Sequence, residues 1–161
     1  MGTVLGVDGI IHLLMSKINA IIVREVRFAD MSALAELATQ LGYPSSQAEM
    51  VPRLEEISGD DDHAVFVAEV EGLVAGWVHV FIYRLIVLDH TAEVGGLVVD
   101  AARRGSGVGR ALMQQAEAWA REHGCQTLYL RSNVIRTEAH KFYEALGFRR
   151  IKSQYAFDKQ L

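Results

Sequence analysis

The chain has 161 residues, half of them apolar, with 16 basic and 20 acidic side chains and a formal net charge of −4. That length suits one domain, the apolar fraction supports a packed core and excludes a disordered linker, and the acidic balance argues against a nucleic-acid binder that works through phosphate contacts. The single cysteine, Cys125, excludes an intrachain disulfide and a cysteine-based zinc site, and is in keeping with a reducing, cytosolic setting.

Residues 1–19 carry no clear periodicity and read as an N-terminal extension, with the domain itself at 20–161. The apolar run Gly9 to Met15 is broken by His12, is too short to span a bilayer and has no basic start. Ile21 to Phe28 is β-branched and reads as a strand. Asp30 is placed to cap a helix on which Leu34, Leu37, Ala38 and Leu41 recur at helical spacing, ended by Gly42 and Pro44. A second helix is predicted from Ser46 to Ile57. Three strands follow, at Ala64–Val70, Val74–Val87 and Ala92–Val99, joined by Glu71-Gly72 and Asp89-His90 into an antiparallel meander. Val108 to His123 reads as an amphipathic helix with Val108, Ala111, Leu112, Ala116 and Trp119 on one face. Thr127–Arg131 is a strand. Thr137 is predicted to cap a short helix carrying Ala139, Phe142, Tyr143 and Leu146, and two short strands are predicted at Phe148–Ile151 and Gln154–Phe157. The order β-α-α-β-β-β-α-β-α-β-β predicts one mixed α/β domain.

The stretch richest in chemistry runs from Val98 to Leu112, where a strand enters the loop Arg103-Arg104-Gly105-Ser106-Gly107-Val108-Gly109-Arg110 and the loop opens a helix. Free backbone N–H groups and the positive end of the helix dipole make such a loop an anion site, and glycines let a phosphate approach the backbone. Arg103, Arg104 and Arg110 can add charge-assisted contacts. Both common nucleotide motifs fail: Gly109-Arg110-Ala111 stands where a P-loop needs Gly-Lys-Ser/Thr, and Arg110 stands where a dinucleotide fingerprint needs its third glycine. A plain glycine-rich turn is the competing reading.

Arg104-Gly105-Ser106-Gly107-Val108-Gly109 resembles the Arg/Gln-x-x-Gly-x-Gly/Ala pyrophosphate loop of the GNAT superfamily of acyl-CoA-dependent N-acetyltransferases. Downstream, Ala139 to Phe148 is similar to that superfamily's second signature, a short helix ending Phe-Tyr-x-x-Leu-Gly-Phe. The resemblance spans residues 20–161. It implies a GNAT-type fold, a central mixed sheet with splayed parallel strands flanked by helices. It further implies acetyl-CoA as cosubstrate, with the pantetheine arm on the backbone of Leu97, Val98 and Val99 and the pyrophosphate on Arg104, Gly105, Ser106, Gly107, Val108, Gly109 and Arg110. Gly95-Gly96 would mark the bulge that opens the sheet. Family members carry a cofactor-contacting Asn seven residues before the tyrosine. Here that position is Arg136, and Asn133, three residues earlier, is the candidate replacement.

The implied reaction moves an acetyl group from the thioester to a primary amine, of a small molecule such as a polyamine or aminoglycoside or of a protein. Tyr143 is the implied acid for the departing thiolate. Glu93, eleven residues before Arg104, stands where some members place a general base, and partial desolvation would raise its pKa toward neutrality. A backbone N–H of Leu97 or Val98 is placed to meet the oxyanion. His79, His90 and Asp89 are alternative polar groups for the acceptor cleft, with a surface role as the competing reading. His140 reads as structural, Cys125 as unreactive, and Glu55, Glu56 and Asp60 to Asp62 as a solvated acidic loop. The implied partners are the amine acceptor and a second copy in a homodimer, with no nucleic acid, membrane or metal. A non-catalytic acyl-CoA sensor is the alternative function, favoured less because Tyr143 and the strand carboxylate are both present.

Overall fold

Five strands of the computed structural model, which describes residues 20–161, lie side by side in sequence order. They are β1 (Ile22–Glu25), β2 (His63–Val70), β3 (Leu73–Tyr83), β4 (Thr91–Val99) and β5 (Thr127–Leu130). Neighbours through β4 are antiparallel, and β4 and β5 are parallel. The mixed α/β class is as expected. The expected extension at 1–19 lies outside the described residues. The chain divides into two compact units, one ending at Leu130 and one running from Arg131 to Leu161.

In the first unit, helices cover both faces of the sheet. Helix α1 (Met31–Leu41) and helix α2 (Gln47–Ile57) bury Met31, Leu34 and Leu54 against Val67, with Trp77 at the edge of that cluster. Helix α3 (Val108–Glu122) takes the other face. Adjacent strand residues point to opposite faces, and a Cβ on Gly76 would stand 3.2 Å from Leu112 and 3.3 Å from Val108. Met113, which the sequence pattern left off the apolar face, is as buried as Leu112, while Ala111 is half-exposed.

Local chemistry fixes the ends of these elements. Gly42 closes α1 at φ 100°. Ser46 caps α2, and Glu49 returns the bond to the Ser46 N–H in a capping box. Glu71 and Gly72 both adopt positive φ, 55° and 78°, as a two-residue hairpin of matching twist requires.

Several expectations are corrected. Asp30 does stand at the N-cap of α1, but its side chain makes no cap bond. The Arg24 guanidinium grips both its oxygens at 2.7 and 2.9 Å, and the Arg27 N–H adds a third bond at 2.7 Å. The long strand expected to reach Val87 stops at Tyr83, because its partner β4 begins opposite it at Thr91. The Arg84 side chain turns to Asp62 instead. Leu85, Ile86, Val87 and Leu88 follow in an exposed loop.

In the second unit, helix α4 (Thr137–Ala145) begins one residue earlier than expected: Arg136 is its N-cap, and Thr137 is its first residue. Phe148–Ile151 and Gln154–Phe157, expected as strands, are not strands. A strand exists only as one side of a hydrogen-bonded ladder, and no ladder forms among the described residues of this stretch. Ile151, Tyr155 and Phe157 are accordingly exposed.

Arg24 also donates to Glu69 at 2.8 Å, so one guanidinium ties β1 to β2 and to the entrance of α1. The arginine holds both carboxyls below their usual range, chiefly by these hydrogen bonds. Groups so lowered stabilise the fold fully above the ordinary carboxylate range and lose that contribution as pH falls through it. Arg24→Ala strands the mostly buried Asp30 carboxylate and is expected to cost about 3 kcal/mol near neutral pH. The deficit should shrink as the pH falls toward 3, which urea melts at a series of pH values would read.

Candidate active site

The bulge comes where the glycine pair placed it. His79 pairs with Gly96 and Val80 with Val94, so Gly95 is the extra residue of β4. A Cβ on Gly96 would stand 2.9 Å from the Trp77 ring, and one on Gly95 would stand 3.1 Å from Phe81 and 3.4 Å from His79 Nδ1. Both glycines therefore open toward the face that carries Trp77, His79 and Phe81. The parallel ladder ends at the same level: Val94 faces Leu130, and β4 continues through Val99 while β5 stops. The backbone of Leu97, Val98 and Val99 thus runs on beyond its pairing with β5.

Asp100 follows β4 and accepts from the Ala102 N–H, starting a single 3-10 turn at Ala101–Arg103. Gln40, at the end of α1, clamps this turn from outside, donating to Asp100 at 2.9 Å and accepting from the Ala101 N–H at 2.9 Å. The sequence reading missed Gln40; it lies on the solvent side of an otherwise clear helix, and nothing local marks it. The Gln40 bond and the Ala102 N–H hold the Asp100 carboxyl below its usual range.

Gly105 and Gly107 have φ 77° and 93°, and Gly107 is the N-cap of α3 without any side-chain cap. The first helical bond runs from the Ala111 N–H to the Gly107 carbonyl. The N–H groups of Val108, Gly109 and Arg110 precede it and have no intrahelical acceptor. Val108 is fully buried. Arg103 is held by Glu71 at 2.6 Å, Arg104 leans on the Val99 carbonyl at 3.4 Å, and the Ser106 hydroxyl donates to the Arg103 carbonyl. Arg110 is exposed in the first turn of α3.

A cavity of about 270 Å³ opens at the bulge, floored by Trp77, Gly95 and Gly96 and walled by Leu41, Tyr43 and Arg53. Ser45 and Met50 also line it. Glu93 pairs with Phe81 in register and is 2% exposed.

Two histidines are brought together. His63 Nδ1 and His79 Nε2 lie 3.0 Å apart, the rings stacked with centroids 5.3 Å apart. The reading of His79 as a lone surface side chain is corrected: burial, reinforced by His63, lowers its pKa to about 4. His63 was missed because the Glu71-Gly72 turn with plain alternation would pair 79 with 64 and put 63 on the opposite face; a bulge between Ala68 and Glu69 shifts the register so that His79 pairs with Val65 and shares a face with His63. His90 and Asp89 are exposed. Cys125 is buried, and burial raises its thiol pKa, as an unreactive cysteine requires.

In the second unit, Asn133 accepts from the Ile135 N–H at 3.1 Å, and its carbonyl accepts from the Arg136 N–H and pairs with the His140 ring. His140 is structural there. Tyr143 packs against Phe142 at 5.3 Å and edge-on to Phe148 at 6.0 Å. Burial raises its phenol pKa against a smaller opposing pull from Arg136.

A mixed sheet with helices on both faces, whose parallel pair parts beside a glycine-rich helix start, is the architecture of an N-acetyltransferase. The chain belongs to the GNAT acetyltransferase family, whose domain model matches residues 31–148. It is 32% identical to an aminoglycoside N(6')-acetyltransferase type 1 of Stenotrophomonas maltophilia over 131 residues, covering 78% of this chain and 84% of that protein. A glucosamine-6-phosphate N-acetyltransferase structure from Arabidopsis thaliana superposes with TM-score 0.76 at 26% identity, covering 88% and 99% of the two chains. An aminoglycoside N-acetyltransferase solved with CoA superposes with TM-score 0.79 at 21% identity, covering 89% and 97%, a likeness of fold. No helix among the described residues is long and apolar enough to cross a membrane, and no group of three or more of their His, Cys, Asp or Glu side chains is arranged to hold a metal.

Proposed function

We propose that this acetyltransferase moves the acetyl group of acetyl-CoA to a primary amine by direct attack in a ternary complex. The observation that carries the reading is the uncapped start of α3. Gly105 and Gly107 turn the chain through positive φ, and three backbone N–H groups follow without intrahelical acceptors. These residues fit a pyrophosphate. Arg104 and Arg110 border it, and the backbone of Leu97, Val98 and Val99 offers the next hydrogen bonds to an extended amide chain. Asn133 keeps its side-chain amide nitrogen as a donor. Acetyl-CoA supplies the activated acetyl group and a thiolate that leaves.

An alkylamine with a pKa near 10.4 is protonated at neutral pH, a handicap of about 4 to 5 kcal/mol. Glu93 is the proposed acceptor of an amine proton, a backbone N–H of Leu97 or Val98 meets the developing oxyanion, and Tyr143 gives a proton to sulfur. The role of Tyr143 rests on the Phe142-Tyr143-x-x-Leu146-Gly147-Phe148 signature around it. The cavity suits a small amine. The chain's similarity to an aminoglycoside acetyltransferase puts aminoglycosides first in a screen. Arg53, with no carboxylate among the lining residues, puts amines that carry an anionic group beside them.

Thermal shift with acetyl-CoA, followed by turnover on an amine panel, tests the reading. Stabilisation with turnover supports it; stabilisation with no turnover on any amine leaves a non-catalytic acyl-CoA binder. Glu93→Gln is expected to lower kcat about a hundredfold and to remove the acid limb of the pH profile. An unchanged profile would move the role to another group or to water.

A further inference from the structure

Acetylation of an ammonium removes two protons from nitrogen. One ends on the departing sulfur and the other must reach bulk solvent, and the roles given above to Glu93 and Tyr143 leave the second without a way out. We propose that His79 and His63 form a two-imidazole relay that carries this proton from the Gly95 bulge to solvent beside Asp60. The inference rests on the acetyltransferase reading and adds two residues to it.

Each link is a named atom. His79 Nδ1 faces the backbone of Gly95, where a Cβ would come within 3.4 Å of it. His79 Nε2 lies 3.0 Å from His63 Nδ1. His63 Nε2 lies 4.0 Å from Asp60 Oδ2, and the His63 and Asp60 side chains keep 27% and 54% of their surface in water. The pair therefore has a buried end at the bulge and a wet end at the turn before β2. A neutral imidazole has one donor and one acceptor nitrogen, and the His79 Nε2–His63 Nδ1 contact fits two alignments; the relay uses the one with Nε2–H on both rings, in which His63 Nδ1 accepts from His79 and His79 Nδ1 is left to accept the amine proton. The nitrogen–proton bond of the amine breaks as His79 Nδ1–H forms. His79 Nε2–H breaks as His63 Nδ1–H forms, and His63 gives its Nε2 proton to Asp60 or water. Tautomer exchange resets the rings between turnovers.

His79 suits a relay better than a terminal base. Burial holds its pKa near 4, with a smaller push from His63, so it stays neutral and ready to accept throughout the working range and cannot keep the proton it takes. Concerted passage through its two nitrogens avoids a charged buried ring. The other charged groups in the neighbourhood are Glu93, across from Phe81 on β4; Asp62 with its partner Arg84 beyond the outer end; and Arg53 on the far wall of the cavity. Phe81 stacks on His63 with centroids 5.5 Å apart and shields the pair on its own strand.

The test joins spectroscopy to chemical rescue. Nitrogen-15 NMR of the whole protein should place the His79 proton on Nε2 at pH 7; a proton on Nδ1 overturns the proposal whatever the enzyme does. With acetyl-CoA and the best amine of the panel, His79→Gln and His63→Gln should each lower kcat about tenfold. The double variant should be no slower than either alone, with KM for acetyl-CoA unchanged. Added imidazole should restore both single variants and leave the wild type unaffected, an effect that lost packing does not produce. Variants that match the wild type, or that imidazole cannot rescue, overturn the relay while wild-type turnover upholds the acetyltransferase reading. A wild type that acetylates nothing removes that reading, and the relay falls with it even where the tautomers agree.

Discussion

Tyr143→Phe is expected to lower kcat by roughly ten- to a thousandfold while leaving acetyl-CoA affinity nearly unchanged, at or below the usual range for general acid–base groups. The ring keeps its place, because Phe142 and Phe148 pack on the aromatic body and a phenyl offers them the same faces. Only the hydroxyl is lost. A thiol has a pKa near 8.5 and a phenol near 10, so complete proton transfer to the leaving thiolate is uphill by about 2 kcal/mol. Burial raises the Tyr143 pKa further, which keeps the phenol protonated across the working range and makes complete transfer harder. Its contribution is then mostly a hydrogen bond that strengthens as charge collects on sulfur. A thioester with a more acidic thiol needs that bond less, so the variant's deficit should shrink with an aryl thioester donor. Steady-state kcat with the two donors, beside calorimetric acetyl-CoA binding, reads both effects. Full activity with acetyl-CoA removes Tyr143 from the chemistry; lost cofactor binding makes it a packing residue.

How far the sequence carried the reading depends on the range of the forces involved. Local steric and hydrogen-bonding rules were legible. Gly42 and the Glu71-Gly72 turn each act within a few residues, and each stands where a short window placed it; the Ser46–Glu49 capping box is as local and closes the start of the helix expected from Ser46. The loop at Gly105 and Gly107 was legible for the same reason. The unread features are set across the fold. Asp30 looks like a helix cap, and its carboxylate goes to Arg24, because a half-buried guanidinium outcompetes a helix N–H for it. Leu85 to Leu88 has strand composition and no strand to pair with. Residues 148–161 have the same apolar alternation and likewise no ladder among the described residues, since composition states a preference and only a partner satisfies the backbone. Gln40 and His63 belong to the same class: each acts on a group tens of positions away or across a hairpin, and each looks ordinary among its neighbours.

The phosphate loop gives the second large effect, and here the structure changes what the obvious substitution measures. Gly107→Val should weaken acetyl-CoA binding about tenfold to a hundredfold, but it also forces a β-branched residue to φ 93°. A left-handed conformation costs a non-glycine residue about 1–2 kcal/mol, which for a chain of this size lowers Tm by about 2–4 °C per kcal/mol. The space itself is tolerant, since among the described residues a Cβ there meets only Ile21 Cδ1, at 3.5 Å. Strain and lost affinity would therefore arrive together. Gly109→Ala separates them. Gly109 is the second residue of α3 and lies outside the positive-φ glycines, so alanine suits its backbone and should hold or raise Tm. Its Cβ tilts toward the helix N-terminus, the direction from which an anion reaches the N–H groups of Val108 to Arg110. The expected outcome is a stable protein whose acetyl-CoA affinity falls about tenfold, because the methyl holds the pyrophosphate off the backbone and hydrogen bonds to charged groups are steep in distance. Calorimetric titration with acetyl-CoA and with dephospho-CoA, which keeps the pyrophosphate and lacks the 3′-phosphate, should show the same fold-loss for both ligands. Equal affinity of wild type and Gly109→Ala for both would place the pyrophosphate elsewhere, and the start of α3 would then be no more than a turn.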